Sequence, residues 1–216
     1  MRYCCFRSSG GTHVATDRRK AILEGAARVI ARRGVRGLRM EELATEAGVS
    51  TALLYYHFNG RAGILHHTLE FISDRADRYT SGAEASAQPR DARQELEQSL
   101  LLEFQDLPEV RENSTAWGEL RASAIFEPDL RADVARATLT WIHDVAHHLG
   151  RVRPAAPAPA LTVSAERLTA LVEGLSTRWL SGALPLAHAR ELMRDAVAGE
   201  LERLGDTKTC PSSRCE

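Results

Sequence analysis

LRMEELATEAGVSTALLYYHFNGRAGIL, residues 38–65, decides how this chain is read. Its spacing predicts two short helices joined by a tight turn at Ala47-Gly48-Val49, where Gly48 permits a left-handed backbone. Leu43, Ala44 and Val49 are small enough for the two helices to pack closely. Ser50 is placed to cap the second helix, 51–57, whose core face is Leu54 and Phe58. The other side presents Thr51, Ala52, Leu53, Tyr55, Tyr56 and His57. Hydroxyls and an imidazole on an exposed face suit phosphate oxygens, and Thr51 and Leu53 near the N-terminus suit base edges and thymine methyls. The pattern predicts a helix-turn-helix with helix 51–57 in the major groove of double-stranded DNA.

The charge distribution points the same way. Residues 1–62 hold eleven Lys/Arg and five Asp/Glu, a net of +6, and the remainder holds seventeen against twenty-four, a net of −7. A basic head on an acidic body suits a polyanion at the head and another task for the body. With 44% apolar and 26% charged residues in 216, the chain is globular and large enough for a buried core. No apolar run is long enough to span a membrane, and residues 1–16 lack the apolar core of a secretory signal. Cys4, Cys5, Cys210 and Cys215 sit at the ends, so no disulfide is expected in the core, which suits a cytoplasmic location.

Outside 38–65 the apolar spacing is helical almost throughout. Ile22, Ala26, Val29 and Ile30 form one stripe of a helix over 17–33, capped by Thr16 and ended by Gly34. Further helices are expected near 39–47, 61–79, 90–106, 111–126, 129–150, 164–182 and 186–204. SGAEASAQP (81–89) reads as a linker, and RVRPAAPAPA (151–160), with three prolines, as a break. Pro108, Pro128 and Pro185 fall at helix starts, where a missing N–H costs little. The expectation is an all-α fold of about nine helices. Its parts are a flexible tail (1–16), a helix-turn-helix domain (17–66), a helical ligand-binding and dimerisation domain (67–204) and a second flexible tail (205–216).

Leu43-Ala44, Ala47-Gly48-Val49-Ser50, Leu54-Tyr55-Tyr56-His57-Phe58, Asn59-Gly60-Arg61 and Ile64-Leu65 together resemble the signature of the TetR (tetracycline-repressor-like) family of transcription regulators. The resemblance covers residues 17–66. It implies that Thr51, Ala52 and Leu53 lie where the family reads bases or the adjacent backbone, and the capping Ser50 is counted with them among the DNA-binding residues. Tyr55, Tyr56 and His57 then lie where it holds phosphates, and Arg61 fills the basic position that opens the fourth helix. Arg39 and Met40 depart from the family's Thr-rich start to the second helix, and Arg39 is placed to supply a phosphate contact there. TAWGELRASAIFEPDLRADV (115–134) and LTALVEGLSTRWLSGAL (168–184) resemble the body of the BetI-like branch, which implies a small-molecule effector and a homodimer.

The last two helices support dimerisation independently. On 164–182, Leu168, Leu171, Val172, Leu175 and Trp179 form an apolar stripe, and Ala170, Gly174, Thr177 and Ser181 a second one of small residues. On 186–204, Met193, Val197, Leu201 and Leu204 are flanked by Leu192, Ala196 and Gly199. One stripe on each helix suffices for a monomer core, so the second pair is assigned to a helix–helix interface. Phe104, Trp117, Arg121, Phe126, Trp141 and Trp179 are the candidate ligand contacts, and Glu119 and Glu173 are charged residues within the same apolar runs. His143 and His147, at i and i+4, have the spacing of two zinc ligands, and His148 follows. The sequence offers them no obvious third ligand, so no metal site and no cofactor are expected. The reading is a ligand-responsive repressor released from a palindromic operator, and not an enzyme. Two alternatives stand beside it: a helical-bundle enzyme with a His-cluster metal site, and a constitutive DNA-binding protein without a ligand.

Overall fold

The structure, a computed structural model, describes residues 11–82 and 91–206. Those residues are helical with no strand. The helices are α1 (Gly11–Arg33), α2 (Met40–Ala47), α3 (Thr51–Phe58), α4 (Arg61–Gly82), α5 (Ala92–Leu101), α6 (Pro108–Ala124), α7 (Pro128–Val152), α8 (Ala158–Leu180) and α9 (Leu186–Asp206), with a 3-10 turn at Val35–Gly37. None of them is long and apolar enough to cross a membrane.

Several expected boundaries move. α1 begins at Gly11 rather than at 17, so Thr16 lies inside the helix and does not cap it. No proline interrupts 11–16, and the helix runs through. Of the two expected tails, 11–16 and 205–206 are helical, and the rest lies outside the described residues. α4 continues to Gly82, two residues into the linker expected at 81–89, and residues 83–89 lie outside the described residues. α5 stops at Leu101, short of 106. The proline break shrinks to 153–157. Pro157 is the N-cap of α8 and Pro159 sits in its first turn. Backbone N–H groups there have no intrahelical partner, so proline removes nothing.

The helix-turn-helix closes as its residues require. Gly48 adopts φ 66°, ψ 34° and its N–H bonds back to the Ala44 and Thr45 carbonyls. Ser50 Oγ accepts from the Leu53 amide at 3.3 Å. At Gly63 the Phe58 carbonyl oxygen lies 1.8 Å from where a Cβ would stand, so α4 approaches the end of α3 this closely only without a side chain.

The apolar core divides into two clusters. One joins α1, α2, α3 and the start of α4 to Ala116, Leu120 and Ala124 of α6 and Leu130 and Val134 of α7. The other joins α5 and the second half of α7 to α8 and α9. The expected domain boundary at 66/67 falls within α4, whose Ile64, Leu65, Leu69 and Ile72 all belong to the first cluster. The head therefore shares its core with the body.

Candidate nucleic-acid interface and effector cavity

α3 is anchored by Leu54 and Phe58, both buried, and turns the rest of its surface outward. Tyr56 is 82% exposed and Tyr55 56%. Ser50 and Ala52 are exposed, and Thr51, Leu53 and His57 are half-buried. The His57 ring meets the Tyr56 ring edge-on at 5.1 Å, which orients both. Arg39 is exposed at the N-cap of α2, where its carbonyl accepts from the Leu43 amide. On α3, Tyr55, Tyr56 and His57 give the outward face its polar and aromatic character.

Arg61 differs from the others. Its guanidinium forks onto both oxygens of Glu127 at 3.1 and 3.3 Å and bonds the Val35 carbonyl at 3.0 Å. A bidentate arginine–carboxylate pair is geometrically specific. Arg61 thus ties the start of α4 to the 3-10 turn and to the α6–α7 corner. A second tie lies beside it: Glu119 Oε2 on α6 accepts from the Val35 amide at 3.3 Å. Within the head, Glu46 on α2 receives Arg32 Nη2 at 2.5 Å and Arg28 Nε at 2.6 Å from α1. The bond from Arg32, then that from Arg28, holds the Glu46 carboxyl below the usual glutamate range against a smaller opposing effect of burial.

A cavity of about 1430 Å³, open to solvent on one side, lies between α4, α5, α6, α7 and α8. Trp117, Arg121 and Trp141 line it, as does Glu119. Phe104, Phe126 and Trp179 do not reach it, against the sequence expectation. Phe104 is fully buried in the second core cluster, below the turn after α5. Trp179 is buried in the same cluster, with the Arg111 guanidinium 5.2 Å from its ring centre. Phe126 is 71% exposed at the α6–α7 corner, where Arg36 covers its ring. Eight carboxylates border the cavity against three arginines. The arginines are all paired, as Arg121–Glu173, Arg136–Asp133 and Arg151–Glu95, so the surplus is negative. Burial opposes ionisation of Asp133, but its bonds from His66 and Arg136 outweigh burial and hold the carboxyl below the usual aspartate range.

The second stripes of the last two helices divide, against the expectation of one outer face: Ala170 and Gly174 face outward, Thr177 and Ser181 border the cavity, and Leu192 and Ala196 pack against the second core cluster. Ala170, Gly174, Thr177 and Ser181 are exposed, and Leu192, Ala196 and Gly199 half-buried. Thr177 Oγ1 donates to the Glu173 carbonyl and Ser181 Oγ to the Arg178 carbonyl, so both hydroxyls turn back onto α8.

Two family models match the chain. Bacterial regulatory proteins of the tetR family match residues 22–68, and the C-terminal part of BetI-type transcriptional repressors matches residues 92–202. The fold is also that of a TetR-family transcriptional regulator from Rhodococcus sp., 43% identical over 86% of this chain and 99% of that one, with a TM-score of 0.78. This chain belongs to the TetR family of transcriptional regulators, with a body of the BetI-type repressors. The HTH-type transcriptional regulator BetI of Rhizobium meliloti (strain 1021) is 28% identical over 91% of this chain and 95% of its own length. A transcriptional regulator from Saccharomonospora viridis, solved in complex with choline, is 26% identical over 85% of this chain and 96% of that one, with a TM-score of 0.71.

Within this TetR-family chain the sequence reading missed the two ties from the body to the head. Nothing local marks Glu119 or Glu127 as partners of residues 84 and 66 positions away. It also missed the side-chain cluster on α4. His143 and His147 are exposed and no third ligand joins them, whereas His66, His67 and Glu70 form the one group of three metal-capable side chains among the described residues. The spacing His-His-x-x-Glu was the available signal.

Proposed function

We propose that the chain is a homodimeric repressor whose two α3 helices enter successive major grooves of a near-palindromic operator, and that a small cation in the cavity releases it. Glu119 carries the reading, because one side chain both borders the cavity and bonds the Val35 amide of the head. A ligand that attracts Glu119 competes with that bond. It then favours a conformer with a different head spacing, in proportion to its differential affinity for the two states. The negative surplus and the indoles of Trp117 and Trp141 suit a quaternary ammonium group, which aromatic faces and carboxylates stabilise together. The choline held by the Saccharomonospora viridis regulator supports the same class of effector. Tyr55, Tyr56, His57 and Arg39 hold phosphates, and Thr51, Ala52 and Leu53 read bases, with Ser50 setting the helix start. Arg61 acts chiefly as a strut between Glu127 and the 3-10 turn. The dimer forms through the outer faces of α8 and α9.

Choline added to the purified protein tests this. It should raise the melting temperature and weaken binding to an operator selected from a random DNA library. Glu119→Gln should keep operator affinity within about threefold, a change of about 0.6 kcal/mol, but blunt the response to choline. A protein that choline neither stabilises nor releases has another effector. A Glu119→Gln variant with the full wild-type response removes Glu119 from the coupling.

A further inference from the structure

We propose that the chain binds one divalent transition-metal ion of the zinc class on α4, through His66, His67 and Glu70, with Asp133 of α7 orienting His66. The three donors share one helix face. Glu70 lies four residues after His66 and three after His67, the two spacings that bring side chains together on an α-helix. Their ligand atoms all lie within 4.8 Å of one another. Glu70 Oε1 is 3.3 Å from His66 Nε2, and Glu70 Oε2 is 2.9 Å from His67 Nδ1. Donors held about 2.0–2.1 Å from a tetrahedral zinc ion stand about 3.3 Å apart, so side-chain rotation that draws the three donors in from their present spread of up to 4.8 Å closes the group on a metal.

The tautomer strengthens the case. His66 Nδ1 lies 2.7 Å from Asp133 Oδ2. An ionised carboxylate only accepts, so Nδ1 carries the hydrogen and donates it. That leaves Nε2, 3.3 Å from Glu70 Oε1, as the nitrogen a metal ion would take. An imidazole fixed by a carboxylate on its far nitrogen is the usual support of a metal-bound histidine. Asp133 is itself held in place by Arg136 on its other oxygen.

The site sits where a metal would matter. His66 and His67 are about one-third exposed and Glu70 about half, so an ion has access from solvent. Three protein donors leave a fourth position for water, and Glu70 and Asp133 both border the cavity. α4 carries the head at its start, and Asp133 belongs to the body, so a bound ion ties the two through His66.

The test is a zinc titration of the full chain against a competing chromophoric chelator. Cys4, Cys5, Cys210 and Cys215 are first replaced by serine, so that thiolates do not contribute. One zinc per chain is expected. His67→Ala and Glu70→Gln, each checked for native helicity, should lose it. Asp133→Asn should keep the stoichiometry but weaken affinity about 10- to 100-fold. His143→Ala with His147→Ala should change nothing. Cobalt(II) gives a second readout, since a four-coordinate site colours strongly in the visible and a hydrated ion does not. A cysteine-free chain that yields all its zinc to the chelator overturns the proposal. So does zinc binding that survives both His67→Ala and Glu70→Gln, or that disappears with the His143 and His147 pair.

Discussion

Gly63 in the head and Gly174 in the body are both helical glycines, and they face opposite constraints. At Gly63 the Phe58 carbonyl fills the place of a Cβ, and at Gly174 nothing lies within 4 Å. The head uses its missing side chain to close its own fold, since α3 must pack under α4 before it has a fixed direction. The body keeps Gly174 bare on an outer face, where the monomer gains nothing from the absence. Under the proposed dimer, that open position is where a second copy would approach. The same contrast separates the two functional regions. The α3 face is contiguous and built by one eight-residue helix. The cavity is assembled from five helices, with its three arginines paired and a surplus of carboxylates left over.

The sharpest way to break this comparison is to fill both glycines. Gly63→Ala should destabilise the protein by about 3 kcal/mol or more, because backbone rather than a flexible side chain must yield. Urea unfolding measures it, and a loss below about 1 kcal/mol would mean that α4 shifts freely on α3. Gly174→Leu should leave the monomer folded but sediment as a monomer. Its operator affinity should fall at least about a hundredfold, or about 2.7 kcal/mol, while salt-sensitive nonspecific binding by the basic head persists. A Gly174→Leu protein that remains dimeric at full affinity moves the interface away from α8.

Within the recognition face the expected effects are smaller and differ in kind. Substituting Thr51 or Leu53 should change which bases are preferred, at roughly 1–3 kcal/mol per lost base contact. Tyr56→Ala or His57→Ala should weaken binding to all sequences alike. Binding across a randomised operator library separates the two patterns; an unchanged preference after both Thr51 and Leu53 are replaced rules out base reading there.

The smallest effect tests the clamp inside the head. Glu46 has a lowered pKa in the fold, so its contribution is present above the unfolded glutamate range and is lost as pH falls through the folded value. Glu46→Gln should therefore cost about 0.5–1 kcal/mol at pH 7, as partly exposed ion pairs do. The difference from wild type should close on acidification. A gap that stays constant to low pH would mean that the charge of Glu46 contributes nothing.

The head was legible because its determinants are local. Gly48, Ser50, Leu54 and Phe58 act on neighbours within one or two turns, and the structure places each as its spacing predicts. Apolar stripes on the last two helices were legible for the same reason, since a 3.6-residue period states which residues face inward. Helix ends were less so. Where nothing locally forbids another turn, a helix continues, as α1 does through Thr16, and proline in a first turn forbids nothing, as Pro159 shows.

What the amino-acid sequence determined by itself was the all-α class, the helix-turn-helix and the residues displayed on α3, because short-range hydrogen bonding and periodicity fix all three. Only the tertiary structure decided which aromatics meet the cavity, since Trp117 and Trp179 have similar sequence surroundings and differ in which neighbouring helix covers them. It alone placed Glu119 against Val35 and Asp133 against His66. Such contacts span more than sixty residues of chain, and they exist only once α4, α6 and α7 have packed and removed the water that would otherwise hold each carboxylate.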